Sequence, residues 1–169
     1  IKKLASFNGD YIRAMSLDEF IQAASPVLAS TEAWPAHRFS ADVFVQAAPL
    51  VQTRVVTLSE IPAMVDFLFL ENPAIDDDAW NKTMSADFAR TVLADFTAAI
   101  ASAEWNHDSL KGILETWTEA NGLKLGKTQA PIRVAITGRT VGPPLFESLE
   151  ILGREETIRR LTAGIARLG

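Results

Sequence analysis

Apolar residues recur every three or four positions along most of this chain. After the capping box Ser16-Leu17-Asp18-Glu19, for example, Phe20, Ile21, Ala24 and Val27 share one face of a helix. The same spacing predicts helices after Ser40 or Asp42, after the second capping box Thr57-Leu58-Ser59-Glu60, after Ser85 or Asp87, over residues 108–120, after Thr128, and over residues 145–152 and 155–168. Strand-like alternation is rare. The pattern predicts an all-α, multi-helix fold.

The helical pattern is interrupted once, near residue 72. Asn72-Pro73 and the acidic run at residues 76–78 break the apolar spacing, and the acids are typical of a solvated helix N-terminus. We therefore predict two helical subdomains, over residues 1–71 and 72–169.

Charge is distributed unevenly over a chain whose net charge is −5. Residues 121–169 hold 8 basic and 4 acidic side chains, a net of +4, whereas residues 1–120 hold 8 and 17, a net of −9. Residues 124–146 contain no acid and four cations, namely Lys124, Lys127, Arg133 and Arg139. This asymmetry indicates either a phosphate-rich partner or docking of the basic tail on the acidic part.

Composition excludes several classes of protein. The chain has no cysteine, and therefore no disulfide or thiolate metal site, as is typical of the reducing cytoplasm. It has no apolar run of about 18 residues, which argues against a membrane span, and no secretory signal. Because it begins at Ile1 within a structured pattern, we expect a piece of a longer protein.

Motifs for catalysis or metal binding are weak. Gly126-Lys127-Thr128 resembles the end of a phosphate-binding loop, but Asn121 replaces the required earlier glycine and a helix precedes the motif. His37 and His107 have no partner at catalytic or metal-ligand spacing. We predict no catalytic residue and no metal ligand in this chain.

Arg54 has two interpretations. It lies between two predicted helices, and no acid occurs from Val43 through Ser59. An arginine at this place can close the C-terminal carbonyls of the preceding helix, or it can bind a ligand. On these residues alone the capping interpretation is favoured, because most arginines in loops bind no ligand.

Three blocks of this sequence resemble the anticodon-binding region of bacterial glutamyl-tRNA synthetases, which are class I aminoacyl-tRNA synthetases. Residues 3–13 match the segment K-L-x-x-[FW]-N-x-x-[YH]-[IL]-R, and residues 54–62 match R-x-x-T-L-x-E-x-P. Residues 123–126, 131–138, 144–146 and 152–155 follow the family in order and spacing. The nucleotide-binding signatures of the class I catalytic domain do not occur.

The resemblance implies a helical cage that binds the anticodon loop of tRNA(Glu) in the cytoplasm, as a monomer and without DNA or membrane partners. ATP and Mg²⁺ would belong to the catalytic part of the longer protein, and none to this chain. The implied anticodon-binding residues are Arg54, Arg133, Gly142, Pro143 and Leu145. Lys124, Lys127 and Arg139 would contact phosphates. The sequence has Gly142 where the family can have threonine, which leaves an apolar Pro143-Pro144 ledge for stacking.

Arg54 matches the arginine that reads the third anticodon base. A guanidinium only donates hydrogen bonds. Cytosine offers O2 and N3 as acceptors on its pairing edge, whereas guanine presents two donors there, so the arginine would favour a final cytosine. Single-stranded bases in loops are the RNA targets whose pairing edges are readable. The alternative function is a helical protein-interaction module with a basic C-terminal face.

Overall fold

The computed structural model describes residues 2–169, with side chains from residue 8 onward, as two compact units, Ile1–Asn72 and Pro73–Gly169. Every regular element in the described residues is helical, which confirms the all-α prediction. None of the helices described is long and apolar enough to cross a membrane.

The first unit contains four α-helices. They are α1 (Lys2–Ala14), α2 (Leu17–Ser30), α3 (Ala41–Gln52) and α4 (Ile61–Val65), with 3-10 turns at Ala36–Arg38, Leu58–Glu60 and Asp66–Leu68. The predicted capping box starts α2, because the Glu19 amide donates to Ser16 Oγ at 3.3 Å and the Ser16 amide donates to Glu19 Oε2 at 2.8 Å. Phe20 and Ala24 on the inner face of α2 are fully buried, where α2 packs against α3 and α4.

The capping box predicted at Thr57 does not form, and the helix predicted after it is broken into short pieces. Thr57 caps no amide; its hydroxyl lies 2.9 Å from Ser59 Oγ, and Glu60 Oε2 accepts from the Val56 amide at 2.8 Å. The carboxylate therefore closes the turn one residue earlier than the capping box requires. The 3-10 turn Leu58–Glu60 follows, and then the five-residue α4 with Pro62 in its first turn.

The second unit contains six α-helices. They are α5 (Asp77–Met84), α6 (Ala89–Ile100), α7 (His107–Ala120), α8 (Leu125–Thr137), α9 (Leu145–Leu152) and α10 (Arg154–Arg167). Helix α6 packs against α7, α8 and α10, and its inward residues Val92, Leu93, Phe96 and Ile100 are buried. The bounds of α9 are those predicted from the sequence.

Helix α5 confirms that the acidic run is a helix N-terminus, since Asp76 Oδ1 accepts from the Ala79 amide at 2.6 Å. The start predicted for the next helix was wrong. Neither Ser85 nor Asp87 caps α6, which begins after Phe88 without a side-chain cap. Ser85 instead ends α5, because its amide donates to the carbonyl of Asn81.

Thr128 does not cap the helix that contains it. Helix α8 begins three residues earlier, and Thr128 is fully buried with its Oγ1 2.7 Å from Thr118 Oγ1. The hydroxyl therefore joins α8 to α7 inside the protein. Gly126-Lys127-Thr128 forms the first turn of α8, where a buried threonine offers no hydroxyl to a phosphate.

His107 has a partner that its sequence position does not reveal. Its Nδ1 lies 2.7 Å from Glu150 Oε2, and Glu150 also accepts from the His107 amide at 2.9 Å. The hydrogen bond with Glu150 raises the pKa of His107, with a smaller contribution from Asp108. This pair joins the start of α7 to α9 and gives His107 a structural role.

Candidate nucleic-acid interface

Arg54 lies on an exposed turn directly after α3. Val51 and Val55 on either side of the turn are fully buried. The carbonyl of Val51 accepts from the amides of Arg54 and Val55, at 2.9 and 3.1 Å. The two buried valines thus fix the backbone while the arginine side chain faces outward.

The Arg54 side chain closes the C-terminus of α3, as one of its two interpretations requires. Nη1 donates to the Leu50 carbonyl at 3.0 Å and to Thr53 Oγ1 at 3.3 Å. Both hydrogen bonds found for this side chain in the described residues come from Nη1. Capping therefore orients the guanidinium and leaves the Nε and Nη2 donors available, so the two interpretations are compatible.

Two side chains hold this turn in place: Gln52, which no sequence motif includes, and Glu60, which the sequence places in a capping box. Gln52 Nε2 donates to the carbonyls of Ile12 and Met15, at 3.0 and 2.9 Å, and so ties α3 to the end of α1. Glu60 holds the Val56 amide on the other side of Arg54. Only the capping-box spacing could have drawn attention to Glu60, and nothing local identifies Gln52.

Arg133, Gly142 and Pro143 meet in the second unit. Arg133 Nη1 donates to the Pro143 carbonyl at 2.7 Å. A Cβ on Gly142 would lie 3.2 Å from Arg133 Nη1, closer than ordinary van der Waals contact. Glycine at this position therefore lets the guanidinium approach the loop, which a threonine would crowd.

The side chains of Pro143 and Leu145 are buried, and Leu145 is only 3% exposed. They offer little surface on which a base could stack. Within the predicted Pro143-Pro144 ledge, only Pro144 is partly accessible to solvent. Pro144 also supplies no side-chain cap to α9, so the first amides of that helix lack a capping acceptor. Contacts of these residues with RNA stay a prediction, and of the three only Leu145 has a backbone amide that can donate to RNA.

The four cations of the acid-free stretch do not form one patch. Lys124 and Lys127 are exposed at the start of α8, and Arg139 follows its end. A helix of 13 residues is about 20 Å long. Arg133 is six positions after Lys127, about 240° around the helix axis, and therefore on another face. A single basic wall, as expected from the sequence, is not what α8 presents.

Arg139 borders a cleft of about 420 Å³ with mixed charge. Its lining is completed by Asp76, Asp78 and Ala79 at the start of α5, by Lys82 in the last turn of α5, and by Thr140 and Val141 from the loop. A phosphate bound at Arg139 would also meet two carboxylates, which weakens the case for this residue. Arg54 lies in the first unit and the remaining candidate residues lie in the second.

Comparison with known proteins identifies the family of this fold. The family model described as "Anticodon binding domain" matches residues 19–165. A protein named glutamate–tRNA ligase from Salinispora arenicola is 51% identical over 172 residues, which cover 99% of this chain and 37% of that protein. The glutamate–tRNA ligase of Frankia casuarinae is 54% identical over 168 residues, 99% of this chain and 36% of that protein.

A solved structure shows the same fold. The crystal structure of a glutamate tRNA ligase from Elizabethkingia meningosepticum superposes with a TM-score of 0.80 at 26% identity, and covers 98% of this chain and 32% of that one. The chain therefore spans about a third of the length of these relatives. Because the family match extends over most of its residues, the chain belongs to the anticodon-binding domain family, in the form found in glutamate–tRNA ligases.

Proposed function

We propose that this chain recognises the anticodon loop of tRNA(Glu) as part of a longer glutamate–tRNA ligase. One observation carries the proposal: the exposed guanidinium of Arg54 is anchored through Nη1 to the end of α3, with its other donors unused by that anchor. An anchored side chain loses less freedom on binding, which favours affinity. The family match and the relatives' names support RNA as the ligand.

The chemistry of Arg54 supports selection of a final cytosine. The edge of the Arg54 guanidinium that does not bond α3 carries only hydrogen-bond donors. These donors match the O2 and N3 acceptors of an unpaired cytosine. A final guanine would place its N1–H and N2–H donors against those of the guanidinium. Buried donors left unpaired are costly, so discrimination comes from rejecting guanine as well as from binding cytosine.

Replacing Arg54 with glutamine is expected to remove this preference. The glutamine amide carries both a donor and an acceptor, so it suits either base. We expect the ratio of affinities for anticodon stem-loops ending in cytosine and in guanine to fall by about 10- to 100-fold, the scale of one specific base contact. Titration of the two RNAs by fluorescence anisotropy at one stated salt concentration measures the ratio.

Arg38→Gln is the matched control, since it makes the same change of charge in the same unit at a side chain held by the Phe69 carbonyl. In Arg38→Gln the ratio of affinities for the cytosine-ending and guanine-ending stem-loops should equal that of the parent chain. An Arg54→Gln variant that still prefers cytosine would remove Arg54 from base reading.

Lys127→Ala is expected to weaken both stem-loops equally. An exposed lysine at the start of α8 contacts phosphate without reading sequence, so the slope of log affinity against log salt should fall by about one. Lys111→Ala removes a lysine that is paired with Glu115 on α7, and it should leave the slope unchanged. An unchanged slope in Lys127→Ala would show that this lysine does not contact RNA.

The remaining parts of the proposal rest on the resemblance of the sequence to glutamyl-tRNA synthetases. The longer protein would attach glutamate to tRNA(Glu) as a cytoplasmic monomer, with ATP and Mg²⁺ bound by its catalytic part. This chain would contribute positioning of the tRNA and specificity for its anticodon.

A further inference from the structure

A groove of about 400 Å³ runs along α1 in the first unit, separate from the Arg54 side chain. One wall belongs to α1 and its end, with Asn8, Tyr11, Ile12 and Met15, and the other is lined by Thr57, Leu58 and Ser59. The two walls are close together and connected. Helix α1 approaches the second wall at Gly9, where an added Cβ would lie 3.3 Å from Val56 Cγ1, and Gln52 Nε2 donates to the Ile12 carbonyl near the end of α1. The groove is therefore preformed rather than created by side-chain movement.

Tyr11 is an exposed aromatic residue of this groove. Its side chain is 66% exposed, and it makes no hydrogen bond or ion pair with the residues described. Tyr11 also borders a second groove with Ala14, Met15 and Glu19, so its ring forms the ridge between the two. A ring placed this way offers a free aromatic face to a ligand in the groove.

The lining of the groove suits a base and not a phosphate. Asn8 supplies an amide with donors and an acceptor, and Thr57 and Ser59 supply a pair of hydroxyls 2.9 Å apart. None of the seven lining side chains among the described residues is charged. Charged groups around the groove already have partners or lie outside it: Glu19 lies across the Tyr11 ridge, Arg13 is paired with Asp10 at 2.6 Å, and the Glu60 carboxylate accepts from the Val56 amide at 2.8 Å. An aromatic face beside neutral donors and acceptors is how unpaired bases are bound.

The groove is close to Arg54 along the chain. Thr57 follows Arg54 by three residues, so their Cα atoms are at most about 11 Å apart. That distance is within reach of a nucleotide near the one that Arg54 reads.

We propose that this groove binds one unpaired RNA base, which stacks on Tyr11 and donates to or accepts from Asn8, Thr57 and Ser59. The base belongs to the same loop whose final anticodon base contacts Arg54. This inference rests on the proposed function and adds a second base-binding position to it.

Tyr11→Leu is expected to lower the affinity of the 169-residue chain for the anticodon stem-loop by about 5- to 150-fold, the scale of one stacked base. Tyr11→Phe keeps the ring and should bind like the parent. The salt dependence of both variants should match that of the parent, because no phosphate contact is changed. Affinities are measured by anisotropy on stem-loops that lack one base at each loop position in turn.

The abasic series identifies the bound base. In the parent chain, loss of that base lowers affinity; in Tyr11→Leu the same loss should have no further effect, while losses elsewhere add to the mutation. Asn8→Ala should couple to the same nucleotide. Val45→Ala, at another exposed apolar side chain of the first unit, should change nothing.

The inference would be overturned if the loss of affinity in Tyr11→Leu added to the loss from base removal at every loop position. It would also be overturned if Tyr11→Leu bound the stem-loop with the affinity of the parent chain. The outcome is separate from that of the proposed function, which depends on Arg54→Gln. If Arg54→Gln loses its cytosine preference and Tyr11→Leu shows no coupling, the function stands and the groove binds no base.

Discussion

Gly138→Ala is expected to destabilise the second unit by about 3–5 kcal/mol, among the largest effects of any single methyl group in this chain. Gly138 ends α8 with φ at 75°, a left-handed conformation that costs other residues about 1–2 kcal/mol. A Cβ there would also lie 2.0 Å from the Ala74 carbonyl oxygen, which is backbone and cannot rotate away. Urea unfolding followed by circular dichroism measures the loss.

The close approach explains why the cost exceeds that of conformation alone. The Gly138 carbonyl accepts from the Asp76 amide at 3.0 Å, so the turn after α8 is bonded to the segment that begins α5. Moving the two backbones apart to admit a methyl group would break this hydrogen bond, at a further cost of about 1 kcal/mol. The turn also positions Arg139, whose amide donates to Thr137 Oγ1 at 3.3 Å.

Gly122→Ala separates the two contributions. Gly122 has φ at 64°, but no atom lies within 4 Å of the position of its missing Cβ. Its replacement should therefore cost only the conformational term, about 1–2 kcal/mol. Equal losses in the two variants would show that the contact with Ala74 does not matter.

The sequence predicted helix ends correctly where the residues that fix the end are neighbours along the chain. The capping box at Ser16 and the bounds of α9 are of this kind, because the residues that satisfy the free amides or end the helix lie within a few positions. The Thr57 box failed because a carboxylate three positions away can bond an adjacent amide instead, and spacing alone does not distinguish the two geometries.

Contacts between distant residues account for what the sequence could not predict. The closeness of Gly138 to Ala74, and of His107 to Glu150, depends on how helices pack and leaves no periodic trace. For the candidate site, the sequence indicated an exposed arginine after α3, and the structure has it there. It could not indicate that Leu145 is buried, since an apolar residue at a helix start suits either environment.

Glu156→Gln is expected to destabilise the second unit by about 3 kcal/mol. Arg160 on α10 is only 4% exposed; its Nε donates to Glu156 Oε1 at 2.7 Å, and its Nη1 donates to the Ile136 carbonyl at 2.9 Å near the end of α8. Replacing the carboxylate removes a charged acceptor from a buried cation, and breaking a buried ion pair typically costs about 3–5 kcal/mol. The lower end applies because Glu156 is partly exposed.

Arg159→Ala is the control within the same network. Arg159 also bonds Glu156, with Nη2 2.6 Å from Oε1, but its side chain is 42% exposed. Exposed ion pairs contribute about 0–1 kcal/mol, so this variant should lose far less stability than Glu156→Gln in urea unfolding. Similar losses would show that burial of Arg160 is not what makes the carboxylate important.

The stability that Glu156 contributes should depend on pH in a defined direction. Burial is the largest single influence on its pKa and acts to raise it, but the hydrogen bonds from Arg159 and Arg160 together outweigh burial, so the pKa lies below the ordinary 4.5. A carboxyl group whose pKa is lower in the folded than in the unfolded protein stabilises the folded state. This contribution is complete when the pH is above the pKa of the unfolded protein, and it is lost as the pH falls through the pKa of the folded protein. The difference in unfolding free energy between the parent and Glu156→Gln should therefore be constant from neutral pH to about 5.5, and should shrink below 4.5 as the parent carboxyl becomes protonated. Urea unfolding of both chains at a series of pH values measures this difference, and one that stays constant at acid pH would mean that the charge of Glu156 does not stabilise the end of α8.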